Sequence, residues 1–175
     1  MNILVIKHGA LGDFVMASGA MKSIRNYFPK DNILLLTEEK NIKFFKSIPY
    51  FNSIKKDNRK SMFFSIFTLF NIIFSQKINL IIDLQNSSRT QMYHFFVSKF
   101  TKVKISSSRN YSHYRYIIPK QGDEHVIQGL NNQLSLLGLK TFEDPNLSWM
   151  IQNSNQQVKK KYIILIPVSY THLRA

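Results

Sequence analysis

The chain has 175 residues, which is room for one ordinary domain and too little for two full ones. Hydrophobic residues make up 44% of it and aromatic residues 13%, with 24 Lys and Arg against 10 Asp and Glu. This composition excludes a disordered chain, because so much apolar surface can offset the ordering entropy, and the absence of cysteine excludes a disulfide scaffold, a thiolate metal site and a cysteine nucleophile.

Apolar runs alternate with helical periodicities along the chain. In order, the pattern predicts a strand at 2–7, a helix at 13–28, a strand at 32–37, a helix at 38–47 and a short strand at 53–55. It then predicts a helix at 61–74, a strand at 79–84, a helix at 88–100, a strand at 103–105, a basic aromatic loop at 106–122 and a helix at 124–137 closed by Gly138. Continuous apolar strands that alternate with helices predict an α/β fold, a Rossmann-like parallel sheet with helices on both faces.

The most apolar window, residues 62–74, has thirteen residues. A bilayer span needs about twenty. We therefore expect this segment to be a buried helix and not a membrane span.

The net charge of +14 is unevenly distributed. Residues 77–120 carry eight basic side chains and one acidic one, whereas residues 121–158 carry one basic and four acidic. A basic surface attracts anions such as nucleic acid, anionic lipid, or a phosphorylated or carboxylated substrate. A solubilising face in a chain with a biased composition is the alternative, and the residues alone leave both open.

In a parallel sheet with right-handed crossovers, the loops that follow the strands lie at one edge, where ligands bind. We expect the segments 8–13, 85–89 and 106–108 at this edge. The first contains Gly9 and Gly12, which let backbone approach a ligand, at the start of a helix whose amide groups favour an anion. Asp13 stands in the first turn of that helix, where it is either a base or partner for a sugar hydroxyl, or simply a cap.

Two further segments could carry chemistry. Residues 83–89 place Arg89 after a buried strand, where it suits a carboxylate or phosphate, unless it forms a structural pair with Asp83. Residues 106–116 interleave basic and aromatic side chains, as in a sugar or nucleic-acid platform or in a solvated loop. The histidines show no metal-ligand spacing and no nucleophile elbow is present, so we expect neither a metal site nor a hydrolase.

Three segments resemble glycosyltransferase family 9, the ADP-heptose:lipopolysaccharide heptosyltransferases and their relatives. ILVIKHGALGDFVMASGAMKSIRNYFP, residues 3–29, is similar to the family's opening of strand, basic residue, small-residue loop, Leu-Gly-Asp and helix ending near Phe-Pro. IIDLQNSSRTQMY, residues 81–93, is similar to its Asp-Leu-Gln segment followed by Arg, and HVIQGLNNQLSLLGL, residues 125–139, to the helix that closes its N-terminal domain. The likeness covers roughly residues 1–140.

The resemblance implies the N-terminal, acceptor-side domain of a two-domain GT-B enzyme. It implies metal-independent, inverting transfer of a heptose-type sugar from a nucleotide sugar, ADP-heptose, to an anionic lipopolysaccharide core acceptor, with no cofactor. Asp13 would be the catalytic base. The substrate-binding residues would be Lys7, His8, Gly9, Gly12, Gln85, Asn86 and Arg89. The protein would be cytoplasmic and peripheral at the inner face of the inner membrane.

The resemblance also predicts the domain organisation. Residues 1–150 would form the acceptor-side domain, 151–161 a linker and 162–167 the first strand of a truncated donor domain. Residues 168–175, VSYTHLRA, lack the family's Gly/Ser loop and are interpreted as a non-native tail, so we expect the fragment to be inactive alone. The alternative is a non-catalytic binding module that uses its basic face for anionic lipid or nucleic acid, although the family resemblance predicts no nucleic acid.

Overall fold

The computed structural model of the chain describes residues 1–45, 48–58, 61–119, 124–147 and 149. Its strands are β1 (Asn2–Ile6), β2 (Asn32–Glu38), β3 (Ser53–Asp57), β4 (Leu80–Asp83), β5 (Lys104–Ser107) and β6 (Tyr114–Arg115). Its helices are α1 (Leu11–Tyr27), α2 (Glu39–Phe45), α3 (Met62–Ser75), α4 (Ser88–Phe100) and α5 (Val126–Ser135).

The predicted order of strands and helices is confirmed, and α4 has the predicted bounds. The prediction of an uninterrupted loop at 106–122 was wrong, because β6 lies within it; its two exposed residues pair with β5 at the sheet edge and show no apolar pattern. Helix α5 begins two residues late because the side chain of His125 accepts a hydrogen bond from the Ile127 amide and caps it. The predicted end of α2 at 46–47 and the loop residues 120–122 lie outside the described residues.

The strands of the described residues form one six-stranded parallel sheet in the order β3-β2-β1-β4-β5-β6. Strand β1 is central, and Leu4 pairs with Leu34 on one side and Ile81 on the other. The prediction of an α/β, Rossmann-like parallel sheet is confirmed.

Helices cover both faces of the sheet, because successive strand residues point to opposite sides. Val5 belongs to a core that includes Ile24 of α1 and Leu134 of α5. Its neighbour Leu4 belongs to a second core that includes Leu69 of α3 and Val97 of α4. The sheet is therefore the middle layer of three.

Helix α3 corrects the expectation of a buried helix, since only one side of it is buried. Ser65, Leu69, Ile72 and Ile73 face the sheet, whereas Phe63 and several other phenylalanines on the opposite side are exposed. The physical reason is that α3 lies in an outer layer, and such a helix keeps one face toward solvent unless something else covers it. Within the described residues, every helix falls short of the length and apolarity that a membrane span requires.

The order of the strands reverses at β1: β2 and β3 are added on one side of β1, and β4, β5 and β6 on the other. Strands β1 and β4 are therefore neighbours, although two strands separate them in sequence. The loops after these two strands diverge to opposite faces and leave a crevice at their carboxyl ends. The register pairs Ile6 with Asp83, so the loops begin side by side.

Candidate functional site

A cavity of about 410 Å³ lies in this crevice. It is formed by the loops after β1 and β4, the first turns of α1, the segment that follows β5 and β6, and one face of α5. Its lining residues are Lys7, Asp13, Met16, Leu84, Gln85, Asn86, Ser108, Tyr116, Ile118, Glu124, His125, Val126, Gly129, Leu130 and Gln133. Four of the sequence-predicted site residues, Lys7, Asp13, Gln85 and Asn86, are thus brought together.

Lys7 supplies the positive charge of the cavity. Lys7 directly follows the last residue of β1, and its side chain is buried. Its Nζ donates a hydrogen bond to the carbonyl of Leu84 at 3.3 Å. Burial lowers the pKa of the Lys7 ammonium, while the nearby Asp13 and Asp83 carboxylates raise it by less. A buried cation with a single hydrogen-bond acceptor at hand is well suited to an anionic ligand group.

Asp13 both caps α1 and lines the cavity. Its Oδ2 accepts a hydrogen bond from the Ala10 amide at 3.1 Å, yet the residue is exposed to solvent. The two interpretations of Asp13, cap and cleft residue, are therefore compatible.

The two predicted glycines shape the same turn. Gly9 has φ of +104°, which favours glycine, and a Cβ there would collide with the Asp13 carboxylate. A Cβ at Gly12 would meet nothing within 4 Å, so this position adjoins open space. Neither glycine is among the residues that line the cavity. Gly9 allows the turn against which the Asp13 carboxylate lies, whereas Gly12 is the helical residue beside Asp13.

The loop after β4 is built on Asp83. Its Oδ1 accepts hydrogen bonds from the amides of Gln85 at 2.8 Å and Asn86 at 3.1 Å. Asn86 sits at φ of +49°, a left-handed conformation that asparagine tolerates. Its side chain donates to Gln133 of α5 at 2.8 Å and accepts from the amide of Ser108 at 2.8 Å, so it joins three segments of the rim.

Asp83 is fully buried and lies 3.2 Å from Nε2 of His94. Burial by itself raises the pKa of Asp83, but the hydrogen bond and charge of His94, with further hydrogen bonds from Thr90 and the Asn86 amide, hold it below its usual range. Ser107 lies 3.4 Å from the other ring nitrogen. This Ser-His-Asp arrangement is fully buried, so no substrate reaches the serine, and its role is to support the loop.

The structure places His8 away from the cavity. Its ring is buried on the other side of the crevice, with Nε2 3.1 Å from Oδ2 of Asp57. Only its backbone amide faces the site, where it donates to Oε1 of Gln85 at 3.0 Å and joins the two loops.

Arg89 also points away from the cavity. It donates to the Tyr93 hydroxyl at 3.0 Å and to Oγ of Ser65 at 2.7 Å, and Tyr93 in turn donates to Asp57 at 2.8 Å. Asp57 thus joins His8 and Arg89 in one network. The alternative pair between Asp83 and Arg89 is not formed, since Asp83 faces His94 instead.

Sequence reasoning missed the far wall of the cavity. Gln133 of α5 is buried and donates to the carbonyls of Asp83 at 3.0 Å and Ser106 at 3.2 Å. The Tyr116 hydroxyl donates to Glu124 at 2.7 Å, and this hydrogen bond raises the pKa of the Tyr116 phenol. Of the predicted platform at 106–116, Ser108 and Tyr116 reach the cavity. Gln133 reaches this wall through hydrogen bonds to residues that lie 27 and 50 positions away in the sequence. Local sequence patterns do not predict such contacts.

Among the residues that the structure describes, no three His, Cys, Asp or Glu side chains are grouped as a metal ion would require. The polar groups of the cavity are one ammonium, two carboxylates, one imidazole, amides and hydroxyls. These groups can bind the hydroxyls and acidic groups of a saccharide.

No protein-family model and no curated protein sequence matches the chain. Solved structures do match it. The glycosyl transferase family 9 structure from Veillonella parvula has a TM-score of 0.64 at 16% identity, covering 79% of this chain and 41% of that one. E. coli heptosyltransferase WaaC with ADP-2-deoxy-2-fluoro heptose has a TM-score of 0.60 at 13% identity, covering 87% and 55%. E. coli ADP-heptose lps heptosyltransferase II has a TM-score of 0.60 at 13% identity, covering 76% and 40%.

The chain spans about half the length of these structures. The resemblance of the sequence to family 9 is accompanied by similarity of the fold. The sheet, its covering helices and the crevice between β1 and β4 form a domain whose structural neighbours are glycosyltransferases of the heptosyltransferase type.

Proposed function

We propose that this domain is the acceptor-side half of a glycosyltransferase that transfers a heptose-type sugar from a nucleotide sugar to an anionic lipopolysaccharide core acceptor. The observation that carries the proposal is the placement of Lys7 and Asp13 on one cavity at the crevice of a sheet whose structural neighbours are heptosyltransferases. A buried cation beside an exposed carboxylate suits an acceptor that is acidic and also presents a hydroxyl to be deprotonated.

In the proposed reaction, Asp13 is the base. Its carboxylate takes the proton of the acceptor hydroxyl as that oxygen attacks the anomeric carbon of the donor sugar. The new carbon–oxygen bond forms on the face opposite the departing nucleoside diphosphate. The bond from the anomeric carbon to the diphosphate oxygen breaks and its electrons leave with the diphosphate, so the configuration at that carbon inverts. Such general-base assistance contributes typically about 10²- to 10⁴-fold in rate.

We assign acceptor binding to Lys7, Gln85 and Asn86, with Lys7 facing an acidic group of the acceptor. Gly9 contributes indirectly, because it allows the close turn against which Asp13 lies, and Gly12 leaves open space beside Asp13. His8 and Arg89 act as positioning residues, through the His8 amide on Gln85 and through the network on Asp57.

We propose ADP-heptose as the donor, bound by a second domain, with no cofactor. Two of the matching structures are of WaaC with ADP or with ADP-2-deoxy-2-fluoro heptose, which supports a nucleotide sugar of this kind. The linker at 151–161, the donor-domain strand at 162–167 and the tail at 168–175 lie outside the described residues and stay predictions, as does the inactivity of the fragment alone. The proposed location is the cytoplasmic face of the inner membrane, where a lipid-linked acceptor would be met.

The test of the base is Asp13→Asn in the complete product of the gene. Asparagine keeps an oxygen that can accept from the Ala10 amide, so the cap of α1 survives. We expect the turnover of ADP-heptose with a lipopolysaccharide core acceptor to fall by about 10²-fold or more, while the dissociation constant of the acceptor changes by less than about threefold.

The matched control is Asp144→Asn, which removes an exposed carboxylate outside the cavity and is expected to leave turnover at the wild-type value. Asp13→Asn with wild-type turnover would show that Asp13 is a cap and not a base. Loss of acceptor binding in the same variant would also contradict the assignment.

A further inference from the structure

Helix α3 carries apolar side chains on two opposite faces, and only one of them packs against the sheet. Phe63, Phe67, Phe70 and Phe74 recur at the spacing of one helical stripe on the outer face. Phe63 is 77% exposed, Phe67 68% and Phe74 65%. A single exposed phenylalanine is unremarkable, but a whole stripe of them marks an interaction surface.

The stripe continues onto α4. The ring of Phe70 lies 5.9 Å from that of Phe74 and 6.5 Å from that of Phe100, which in turn lies 6.4 Å from Phe96. Phe100 is 64% exposed, and Phe64, beside the stripe, is 61% exposed. We define the phenylalanine surface as these residues of α3 and α4: Phe63, Phe64, Phe67, Phe70, Phe74, Phe96 and Phe100.

The exposed charged side chains within residues 61–119, the part of the chain that contains the phenylalanine surface, are all basic. Residues 61–119 contain one acidic residue, Asp83, which is fully buried. Lys77 and Lys102 line an open groove of about 610 Å³ together with Phe74 and Phe100. The exposed Lys99, in the last turn of α4, adds a further positive charge beside Phe100.

We propose that the phenylalanine surface docks the protein on a membrane that contains anionic lipids. Phenylalanine rings on the outer side of a helix can enter the boundary between headgroups and acyl chains. Lysines beside them meet acidic headgroups, each contributing about 1 kcal/mol near such a surface. This inference assigns a surface to the membrane location proposed above, but it uses none of the cavity residues, so vesicle binding and glycosyl transfer can fail independently.

The shape of the phenylalanine surface favours a lipid surface over a single-stranded nucleic acid. Such nucleic acids bind in a groove that follows their backbone, with bases stacked on aromatic platforms. Most of these rings stand instead on the convex outer side of α3, which is about 20 Å long by the rise of an α-helix. A convex apolar ridge can enter a bilayer interface, whereas only Phe74 and Phe100 of the phenylalanine surface line the open groove beside it.

The phenylalanine surface runs from the start of α3 to the ends of α3 and α4 at the opposite edge of the sheet, where Lys77 and Lys102 precede β4 and β5. Arg89, in the first turn of α4, donates to the carbonyl of Ser61 and to Oγ of Ser65, so the starts of α3 and α4 lie together. Helices begin at the carboxyl ends of the preceding strands, which is the edge that holds the cavity.

The experiment is co-sedimentation of the chain with phosphatidylcholine vesicles, with and without phosphatidylglycerol. We expect binding only to the anionic vesicles, and less of it as salt is raised. Phe63→Gln combined with Phe67→Gln should weaken binding by at least about tenfold. Lys77→Gln combined with Lys102→Gln should weaken it by about tenfold to thirtyfold. All four side chains are exposed or line the open groove, so both variants should unfold at the wild-type temperature.

The matched controls lie elsewhere on the molecule. Leu136→Gln removes an exposed apolar side chain near α5, and Lys30→Gln with Lys140→Gln removes two exposed charges. Both should bind anionic vesicles as the wild type does. Equal binding by the phenylalanine variant and the wild type would overturn the proposal. The proposal would also be overturned if the wild-type chain did not bind vesicles but formed dimers, or bound an oligonucleotide, through the same phenylalanines.

Discussion

Lys7 lies in an environment that is unfavourable for a charged side chain. Its ammonium is buried, and burial lowers its pKa more than the carboxylates of Asp13 and Asp83 raise it. A cation held in this way does not help the fold, since desolvation of a buried charge commonly exceeds what its partners return. A buried charge of this kind is uncommon in a stable core, and such exceptions are expected at functional sites.

His8 and Arg89 show why residue roles are harder to predict than positions. Both were correctly placed next to the carboxyl edge of the sheet, yet their side chains turn to Asp57 and Tyr93 on the other side of the crevice. Asp57 lies 49 residues after His8 in the sequence, and no local pattern links the two. Sequence could place the loops but could not say which way each side chain would point.

The buried pairs of Asp57 with His8 and of Asp83 with His94 predict a loss of stability in acid. Burial by itself raises the pKa of Asp57, but hydrogen bonds from His8 and Tyr93 and the charge of His8 hold it below its usual range, as His94 does for Asp83. Carboxylates of lowered pKa stabilise the fold above their unfolded pKa, near 3.9, and that contribution is lost as the pH falls through the folded value. We therefore expect the unfolding temperature to drop steeply below about pH 4.

The variant Asp57→Asn tests this directly by thermal unfolding across the acid range. It should be less stable than the wild type at pH 6, by on the order of 1–3 kcal/mol, and should show a shallower loss below pH 4. Asp144→Asn, which removes an exposed carboxylate, should keep the wild-type slope. Parallel acid curves for Asp57→Asn and the wild type would contradict the assignment.

At the scale of elements, α1 is specialised for close packing by its small residues. Ser18 accepts a hydrogen bond from the Asn146 amide at 3.0 Å, and Ser23 accepts one from the Glu143 amide at 2.8 Å. Between them, Gly19 lets the backbone of 143–144 lie directly on the helix. The helix itself could be predicted from its apolar spacing, but its partner could not, because the partner lies 120 residues or more away.

Two glycines of α1 therefore respond oppositely to alanine. In a helix alanine is more favourable than glycine by about 1 kcal/mol. At Gly12 a Cβ meets nothing within 4 Å, so Gly12→Ala should raise stability by about 0.5–1 kcal/mol. At Gly19 a Cβ would collide with the carbonyl of Glu143, so Gly19→Ala should lower stability by about 1–3 kcal/mol.

Urea unfolding of the two variants measures the difference. Both changes add the same methyl group to the same helix, so each serves as the control of the other. A stabilised Gly19→Ala protein would show that 143–144 does not pack on α1 as described.

At the scale of the whole molecule, the parallel sheet and its ligand edge could be predicted because the strands are continuous apolar runs. Lys7, Asp13, Gln85 and Asn86 meet because their loops follow β1 and β4, which pair side by side. The exposed face of α3 could not be predicted in the same way. A helix that is apolar on all sides has the pattern of a buried one, and only its place in an outer layer leaves half of it open.

We propose that the crevice between β1 and β4 binds an anionic saccharide through Lys7. The most direct measurement is an NMR titration of the 175-residue chain with a deacylated lipopolysaccharide core oligosaccharide, in wild-type and Lys7→Met forms. We predict amide shifts at residues 7–13, 85–86, 108 and 129–133, and at least about tenfold weaker binding in Lys7→Met, with its unfolding temperature unchanged or raised. Lys30→Met, which removes an exposed lysine, should bind as the wild type does. Shifts elsewhere on the molecule, or wild-type affinity in Lys7→Met, would contradict the claim.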